Sequence, residues 1–256
     1  MDNMASPLTI VLPTYNESAN LRPMVEALLA LSLPQVAARV LIVDDNSPDG
    51  TGRIADELAA ACPDRVRVLH RPGKQGLGRA YLAGFALAIE QGAQLLVQMD
   101  CDFSHQPADV ARLLEAMDDG ADMVLGSRFV AGGSVDRHWA WWRKALSRFA
   151  NGIYVKAILG CDIADATGGF RLWRADTLRG MDPWSRIATS GYGFQVEMAY
   201  LAVKLGYRVR EVPIYFPDRQ RGDSKMNFAI QREAAWQVWS MRRRHRALSP
   251  RDRITP

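Results

Sequence analysis

Cysteine is scarce in this chain: Cys62, Cys101 and Cys161 are the only three, they form no CxxC pair, and their odd number argues against a disulfide framework. That usage fits a reducing compartment. Histidine is equally sparse, and the four present are too scattered to give a zinc-ligand spacing. No window approaches the roughly 18–20 unbroken apolar residues of a spanning helix, and the opening MDNMASP has neither the charged nor the apolar region of a secretory signal. The expected location is therefore cytoplasmic, without integral insertion. No internal repeat or low-complexity tract is present, and RPGKQGLG lacks the GK[ST] ending of a phosphate-binding Walker A loop.

What is present is a globular composition. The chain has 256 residues, 48% hydrophobic and 23% charged, enough for one domain with a full core and a small appendage. Its first half alternates β-rich runs with helical patterns, which predicts an α/β fold with a mostly parallel, Rossmann-like sheet and crossover helices. Strands are expected at 8–12, 39–44, 66–70, 94–99 and 121–126. Leu21, Met24, Val25, Leu28 and Leu29 mark one apolar helix face, and Val110, Leu113, Leu114 and Met117 repeat that spacing after Pro107. Each strand then runs into a polar loop: PTYNE, DDNSPDG, RPGKQG, DCDFSH and GSR. In open α/β sheets ligands gather at the carboxyl ends of strands, so these loops should converge on one crevice. Beyond about residue 130 the pattern predicts a long helix over 138–158, a turn and strand at TGGFRLWR, a helix over 193–205, a strand over 208–216 and a last helix over 227–246.

The chemistry concentrates in acidic pairs. Asp100-Cys101-Asp102 follows the apolar run LLVQM, and two carboxylates at that spacing suit Mg²⁺ or Mn²⁺, hard cations that bridge a diphosphate. The competing reading is a turn in which Asp caps the next helix. Asp44-Asp45 holds the equivalent place on another strand, where a carboxylate accepts hydrogen bonds from base N–H groups or ribose hydroxyls. Asn46, Ser47 and Pro48 read as turn formers; Asp45 reads as a ligand contact. A rival of another class comes from Gly50-Thr51-Gly52-Arg53-Ile54-Ala55, which matches the G-x-G-x-x-A dinucleotide fingerprint of an NAD(P)-dependent oxidoreductase. Those glycines follow the second strand at a distance, and Asp44 and Asp45 would repel a pyrophosphate.

Taken in order, PTYNE at 13–17, VDDNSPDGT at 43–51, RPGKQGLGRAY at 71–81, MDCDFSHQP at 99–107, GSRF at 126–129, TGGFRLW at 167–173 and FPDRQRGDSK at 216–225 resemble the polyprenyl-phosphate mannosyltransferases. This is the dolichol-phosphate-mannose synthase group of inverting transferases with a GT-A-type fold. The resemblance covers Leu8 to about Asn227. It implies transfer of mannose from GDP-mannose to a polyprenyl phosphate, with polyprenyl-phosphate glucosyl or aminosugar transfer from a UDP-sugar as the alternative. QxxRW, usual in processive polysaccharide synthases, does not occur. Carried over by position, the resemblance places Pro13, Tyr15, Glu17, Val43 and Asp45 around the nucleoside, and Asp100, Cys101 and Asp102 at the metal and donor diphosphate. The family often has Gln two positions after the second Asp as a further metal contact; Ser104 stands there here. Arg219 and Lys225 would grip phosphates in a closing loop, and Arg128 and Arg143 would bind the acceptor phosphate, with Asp102, Arg128 and Arg219 in catalytic roles. A phosphate monoester is already largely ionised near neutral pH, so its attack needs no strong general base. Glu197, in GYGFQVE, either orients the sugar or sits in a satisfied structural network.

Such an acceptor requires access to a membrane surface. Trp139, Trp142, Leu146, Phe149 and Ile153 recur at 3-4-3-4 spacing with Arg143, Lys144 and Arg148 between them, a pattern that lies in a lipid interface or packs on the core. Trp236 and Trp239 beside RRRHR at 242–246 invite the same two readings, and basic residues also suit a helix C-terminus. The expected organisation is a GT-A catalytic domain over 1–226, a C-terminal amphipathic helix over 227–247 at a membrane interface, and a disordered tail over 248–256. The chain is expected to be peripheral on the cytoplasmic face, to resemble relatives that depend on a separate membrane-anchoring subunit, and to bind no nucleic acid.

Overall fold

In the computed structural model, which describes residues 6–33, 36–137, 147–148, 154–191, 193–217 and 228–255, the first strand, β1 (Ser6–Thr14), sits near the middle of a seven-stranded sheet. Its neighbours are β2 (Val36–Asp44) and β4 (Leu95–Gln98), and β3 (Val66–His70) lies outside β2, all in parallel register. On the other side β7 (Arg171–Arg174) runs antiparallel between β4 and β5 (Met123–Ser127), and β8 (Val209–Pro213) closes the edge parallel to β5. The order is β3-β2-β1-β4-β7-β5-β8. Two antiparallel steps cancel, so every strand except β7 delivers its carboxyl end to the same edge of the sheet. The site is built along that edge.

Both faces of the sheet are covered, as parallel strands require. Leu8, Ile10 and Leu12 of β1 point into one apolar cluster, under α1 (Leu21–Leu29), α2 (Thr51–Ala61) and α4 (Asp109–Asp118). Val11 points into the other, under α3 (Leu77–Glu90). The periodicity read from α1 and α4 is the buried face: Leu21, Met24, Val25 and Leu28 in one, Val110, Leu113 and Met117 in the other. In α3 the close approach to the sheet falls at Gly84, where a Cβ would lie 2.5 Å from Val11 Cγ1 and 2.9 Å from Val43 Cγ2.

The second half departs from expectation in three places. The single strand foreseen over 208–216 is broken, because Pro213 has no N–H to continue a ladder; Ile214 donates its N–H to Ser127 O at 3.0 Å, and β9 (Tyr215–Phe216) pairs instead with β6 (Ser134–Val135) in a separate two-stranded sheet. Of the helix foreseen over 138–158, most lies outside the described residues, and its described end is the short helix α5 (Lys156–Leu159). After β7 come α6 (Ala175–Met181), α7 (Pro183–Arg186), α8 (Gly193–Lys204) and α9 (Phe228–His245). Against the expectation of a disordered tail, residues 249–254 are tied down. Ser249 and Asp252 form a capping box, Arg253 donates to Leu205 O at 2.7 Å and lies 4.1 Å from the Tyr207 ring centroid, and Ile254 N–H reaches Gly180 O at 3.0 Å. Those partners are carbonyls just past the end of α8 and on α6, which a composition-based reading does not reveal. Among the described residues no helix is long and apolar enough to cross a membrane.

Candidate active site

At the carboxyl end of β4 the chain turns sharply through Asp100, Cys101 and Asp102. Tyr81, fully buried on α3, donates its hydroxyl to Asp100 Oδ1 at 2.8 Å. Burial first, and then the neighbouring Asp100 and Asp102 charges, push the Tyr81 phenol well above its ordinary range, so it remains a donor at any physiological pH. Asp102 is 5% exposed and accepts from the Ser104 backbone N–H at 3.1 Å and the Ser104 hydroxyl at 2.5 Å. Between them Phe103 adopts φ +60°, a left-handed conformation rare for an aromatic residue, and its carbonyl accepts from Gln106 Nε2 at 2.6 Å. Strain of this kind is retained where surrounding bonds over-determine it, and here it aims the carboxylate of Asp102.

These carboxylates line a cavity of about 250 Å³ with residues from the other strand-end loops. β1 contributes Pro13 and Thr14, the loop after it Tyr15 and Glu17, and the loop after β2 Asp45. The far wall is Lys74, Gly76, Leu77 and Ala80 with Gly191. Lys74 Nζ stands 4.2 Å from the Tyr15 ring centroid, a cation held over an aromatic face at the mouth. Asp45 is 5% exposed and forms an ion pair with Arg71, itself 9% exposed, whose other nitrogen donates to Gln75 Oε1 at 3.1 Å. Burial pushes the Asp45 carboxyl up, against the pull of Arg71. Asp44 faces away into the loop, accepting from Thr14 Oγ1 at 3.1 Å and from the Ser47 hydroxyl at 2.6 Å.

A second cavity, of about 220 Å³, is lined by Arg128, Phe129, Gly133, Ser134, Val135 and Arg148. Arg128 grips Asp165 through Nε at 2.7 Å and Nη2 at 2.6 Å, and Nη2 also donates to Thr167 Oγ1 at 2.8 Å. Burial pushes the Asp165 carboxyl up, but the Arg128 charge together with the hydrogen bonds from Arg128 and Thr167 holds it below its usual range. A chain of aromatic contacts connects Asp100 with Arg128. His105 Nδ1 accepts the Asp100 backbone N–H at 2.9 Å, its ring stacks on Phe170 at 5.1 Å and meets Phe216 edge-on at 5.8 Å, and Arg128 lies 5.1 Å from the Phe216 centroid. Burial pushes His105 down, in keeping with a neutral ring that accepts at Nδ1.

Pro13, Tyr15, Glu17, Asp45, Asp100, Cys101 and Asp102 are thus brought together, and Arg128 stands in the second cavity. Val43 does not line either cavity: it is completely buried, packed against Gly84 and Val11 in the core. Ser104 is 1% exposed, is not among the residues lining the cavity, and donates its hydroxyl to Asp102, which it supports. Arg143, Arg219 and Lys225 lie outside the described residues. Sequence reasoning missed Tyr81, Arg71 and Arg148. Arg71 could have been found, since it follows β3 as Asp45 follows β2; Tyr81 could not, because nothing in a helix sequence says which buried hydroxyl meets a carboxylate. Among the described residues no group of three or more His, Cys, Asp or Glu side chains is gathered to hold a metal. Asp100 and Asp102 supply two hard donors, which fits a cation that takes its remaining ligands from a diphosphate and water.

A Rossmann-like sheet with one reversed strand and an Asp-x-Asp pair at the crevice is the architecture of GT-A-type transferases. The chain belongs to Glycosyl transferase family 2, whose family model matches residues 9–180, and it is a glycosyltransferase. It is 47% identical over 237 residues to the polyprenol monophosphomannose synthase of Mycolicibacterium smegmatis, covering 92% of this chain and 87% of that protein. It is also 47% identical over 246 residues to the undecaprenyl-phosphate mannosyltransferase of Micrococcus luteus, covering 95% of this chain and 98% of that one. Among solved structures, mannosyl-3-phosphoglycerate synthase from Rubrobacter xylanophilus superposes with a TM-score of 0.68 at 16% identity, covering 94% of this chain and 75% of that chain, which shows a shared fold.

Proposed function

We propose that this chain transfers mannose from GDP-mannose to a polyprenyl phosphate with inversion, giving polyprenyl-phosphate mannose and GDP. The observation that carries the reading is the pairing of two cavities, an acidic one around Asp100 and Asp102 and a cationic one around Arg128, connected by the contacts Asp100–His105, His105–Phe216 and Phe216–Arg128. The names of the two relatives at 47% identity, both transferring mannose to a polyprenyl acceptor, supply the sugar and the lipid.

In this reading Glu17 and Asp45 accept hydrogen bonds from the nucleoside, with Pro13 and Tyr15 shaping that end, and Arg71 holds the Asp45 carboxylate in place. Asp100 and Asp102 would hold a divalent cation, Mg²⁺ or Mn²⁺, which would supply charge neutralisation for the departing diphosphate. Tyr81 fixes the rotamer of Asp100, and Ser104 fixes that of Asp102. Arg128 and Arg143 take the acceptor phosphate, while Arg219 and Lys225 close on the donor. Arg128 spends Nε and Nη2 on Asp165 and Thr167, which fix the guanidinium plane before any ligand arrives and leave Nη1 to donate to a phosphate oxygen. Catalysis is then in-line positioning plus charge stabilisation, with an already ionised phosphate as nucleophile. Such an acceptor places the chain peripherally at the cytoplasmic face of a membrane, through its own surfaces or a separate anchoring subunit.

The test is transfer of radiolabel from GDP-mannose, UDP-glucose or a UDP-aminosugar to a short polyprenyl phosphate, with Mn²⁺ or with chelator. Label should enter the lipid fraction from GDP-mannose and only with metal. Preferential use of a UDP-sugar would replace the donor assignment, and no transfer from any donor would remove the reading.

A further inference from the structure

Glu197 lies on α8, is completely buried, and is not among the residues lining either cavity. Its carboxylate nevertheless collects five hydrogen bonds from two different parts of the chain. Oε2 accepts from Ala188 N at 3.2 Å, Thr189 N at 3.0 Å and Thr189 Oγ1 at 2.7 Å. Oε1 accepts from His245 Nε2 at 2.9 Å and from Arg244, both on the last turn of α9. The segment it holds leads directly into the wall of the donor cavity at Gly191. Ser190 O accepts Gly78 N–H at 2.9 Å, a Cβ on Gly76 would come within 2.6 Å of that same oxygen, and Gly76, Leu77 and Gly191 line the cavity itself.

A loop of this kind has no ladder to satisfy its backbone, so two neighbouring N–H groups turned inward need an acceptor from elsewhere. A carboxylate is suited to the place because both of its oxygens accept. An amide would set its NH₂ against the backbone donors or against the guanidinium and imidazole. We infer that Glu197 is a positioning residue for the donor site: one carboxylate oxygen pins Ala188 and Thr189, which lead through Ser190 to Gly191 in the cavity wall, and the other pins the C-terminal helix, so the seating of that helix sets the position of Gly191 and of the first turn of α3. The coupling runs through direct contacts, from Arg244 and His245 to Glu197, to Thr189, to Ser190 and the first turn of α3.

The helix-side arm offers the cleaner test, because Arg244 is 35% exposed and does not line the donor cavity. Donor and acceptor KM, calorimetric GDP affinity and melting temperature would be measured for the full chain, Arg244→Met, Arg244→Lys and Glu197→Gln. Arg244→Met should raise donor KM and the Kd for GDP by roughly 3- to 30-fold. Acceptor KM should stay within about twofold, and Arg244→Lys should recover most of the loss. Glu197→Gln should do the same or more, and if it fails to fold, the two Arg244 variants decide alone. Lower melting temperatures with donor KM and GDP affinity unchanged would overturn the inference and leave the network a structural tie. The inference rests on the proposed function only in taking the Asp100 cavity as the donor's. Failure of the wild type to bind GDP would sink both, whereas firm wild-type binding with unaltered variants would sink this one alone.

Discussion

Asp102 is held by the backbone and hydroxyl of Ser104 on one oxygen and belongs to a loop strained at Phe103. Its place is fixed before a ligand arrives, so what Asp102→Asn removes is charge and not geometry: the amide oxygen still accepts from Ser104. The expected result is a loss of about 10²–10³ or more in kcat/KM with a melting temperature close to wild type, read from initial rates and a thermal scan; a variant of equal activity would refute the role. Glu197 gives a residue-scale prediction in pH. Burial alone would raise its carboxyl, but the bonds from His245 and Thr189 and the Arg244 charge hold it at about 2 against an ordinary 4.5. A depressed folded-state value means that its contribution is complete above pH 4.5 and fades as pH falls towards 2, where the unfolded chain has already taken up the proton. Urea midpoints at pH 7 and pH 3 should therefore differ less in Glu197→Gln than in wild type.

The elements of the first half were legible because each carries a local signal that packing reinforces. The alternation of Leu8, Ile10 and Leu12 against Val11 sorts β1 between two cores, and β3 begins and ends at 66 and 70 as its pattern foretells. Helix α3 depends on a contact that no period encodes. With Gly84 lodged between Val11 and Val43, Gly84→Ala should overpack the interface and cost about 1–3 kcal/mol, seen as a lower melting temperature, even though alanine is the better helix former. The acid-lined cavity was foreseeable for the same reason as the strands: parallel sheets send their loops to one edge, and DDNS and DCDFSH stand at that edge. The parts that escaped are set at long range. Tyr81 finds Asp100 across 19 positions, Arg128 finds Asp165 across 37, and Pro213 diverts a strand into a second sheet that exists only because β6 is waiting there.

At the scale of the molecule the C-terminal helix divides cleanly. Val238, Met241 and His245 are buried against the body, while Trp236 and Trp239 are 75% and 50% exposed and Arg243 and Arg246 follow them at 3-4-3 spacing on the open side. An exposed tryptophan costs apolar hydration unless something covers it, and arginine beside it favours an anionic surface over a neutral one. The net charge of +4 is modest, so any attraction to lipid must come from this local grouping and not from the whole. Each basic residue near an anionic bilayer contributes about 1 kcal/mol, or roughly fivefold in partitioning. Cosedimentation with vesicles rich in anionic lipid should therefore exceed that with neutral vesicles, fall with salt, and drop by at least about fivefold in Trp236→Ala/Arg243→Ala. Solution activity on a short, soluble acceptor should be retained in that variant, since neither residue lines the two cavities. Equal cosedimentation of wild type and variant would assign the outer face to something other than lipid, and the acceptor would then have to reach Arg128 by way of another surface.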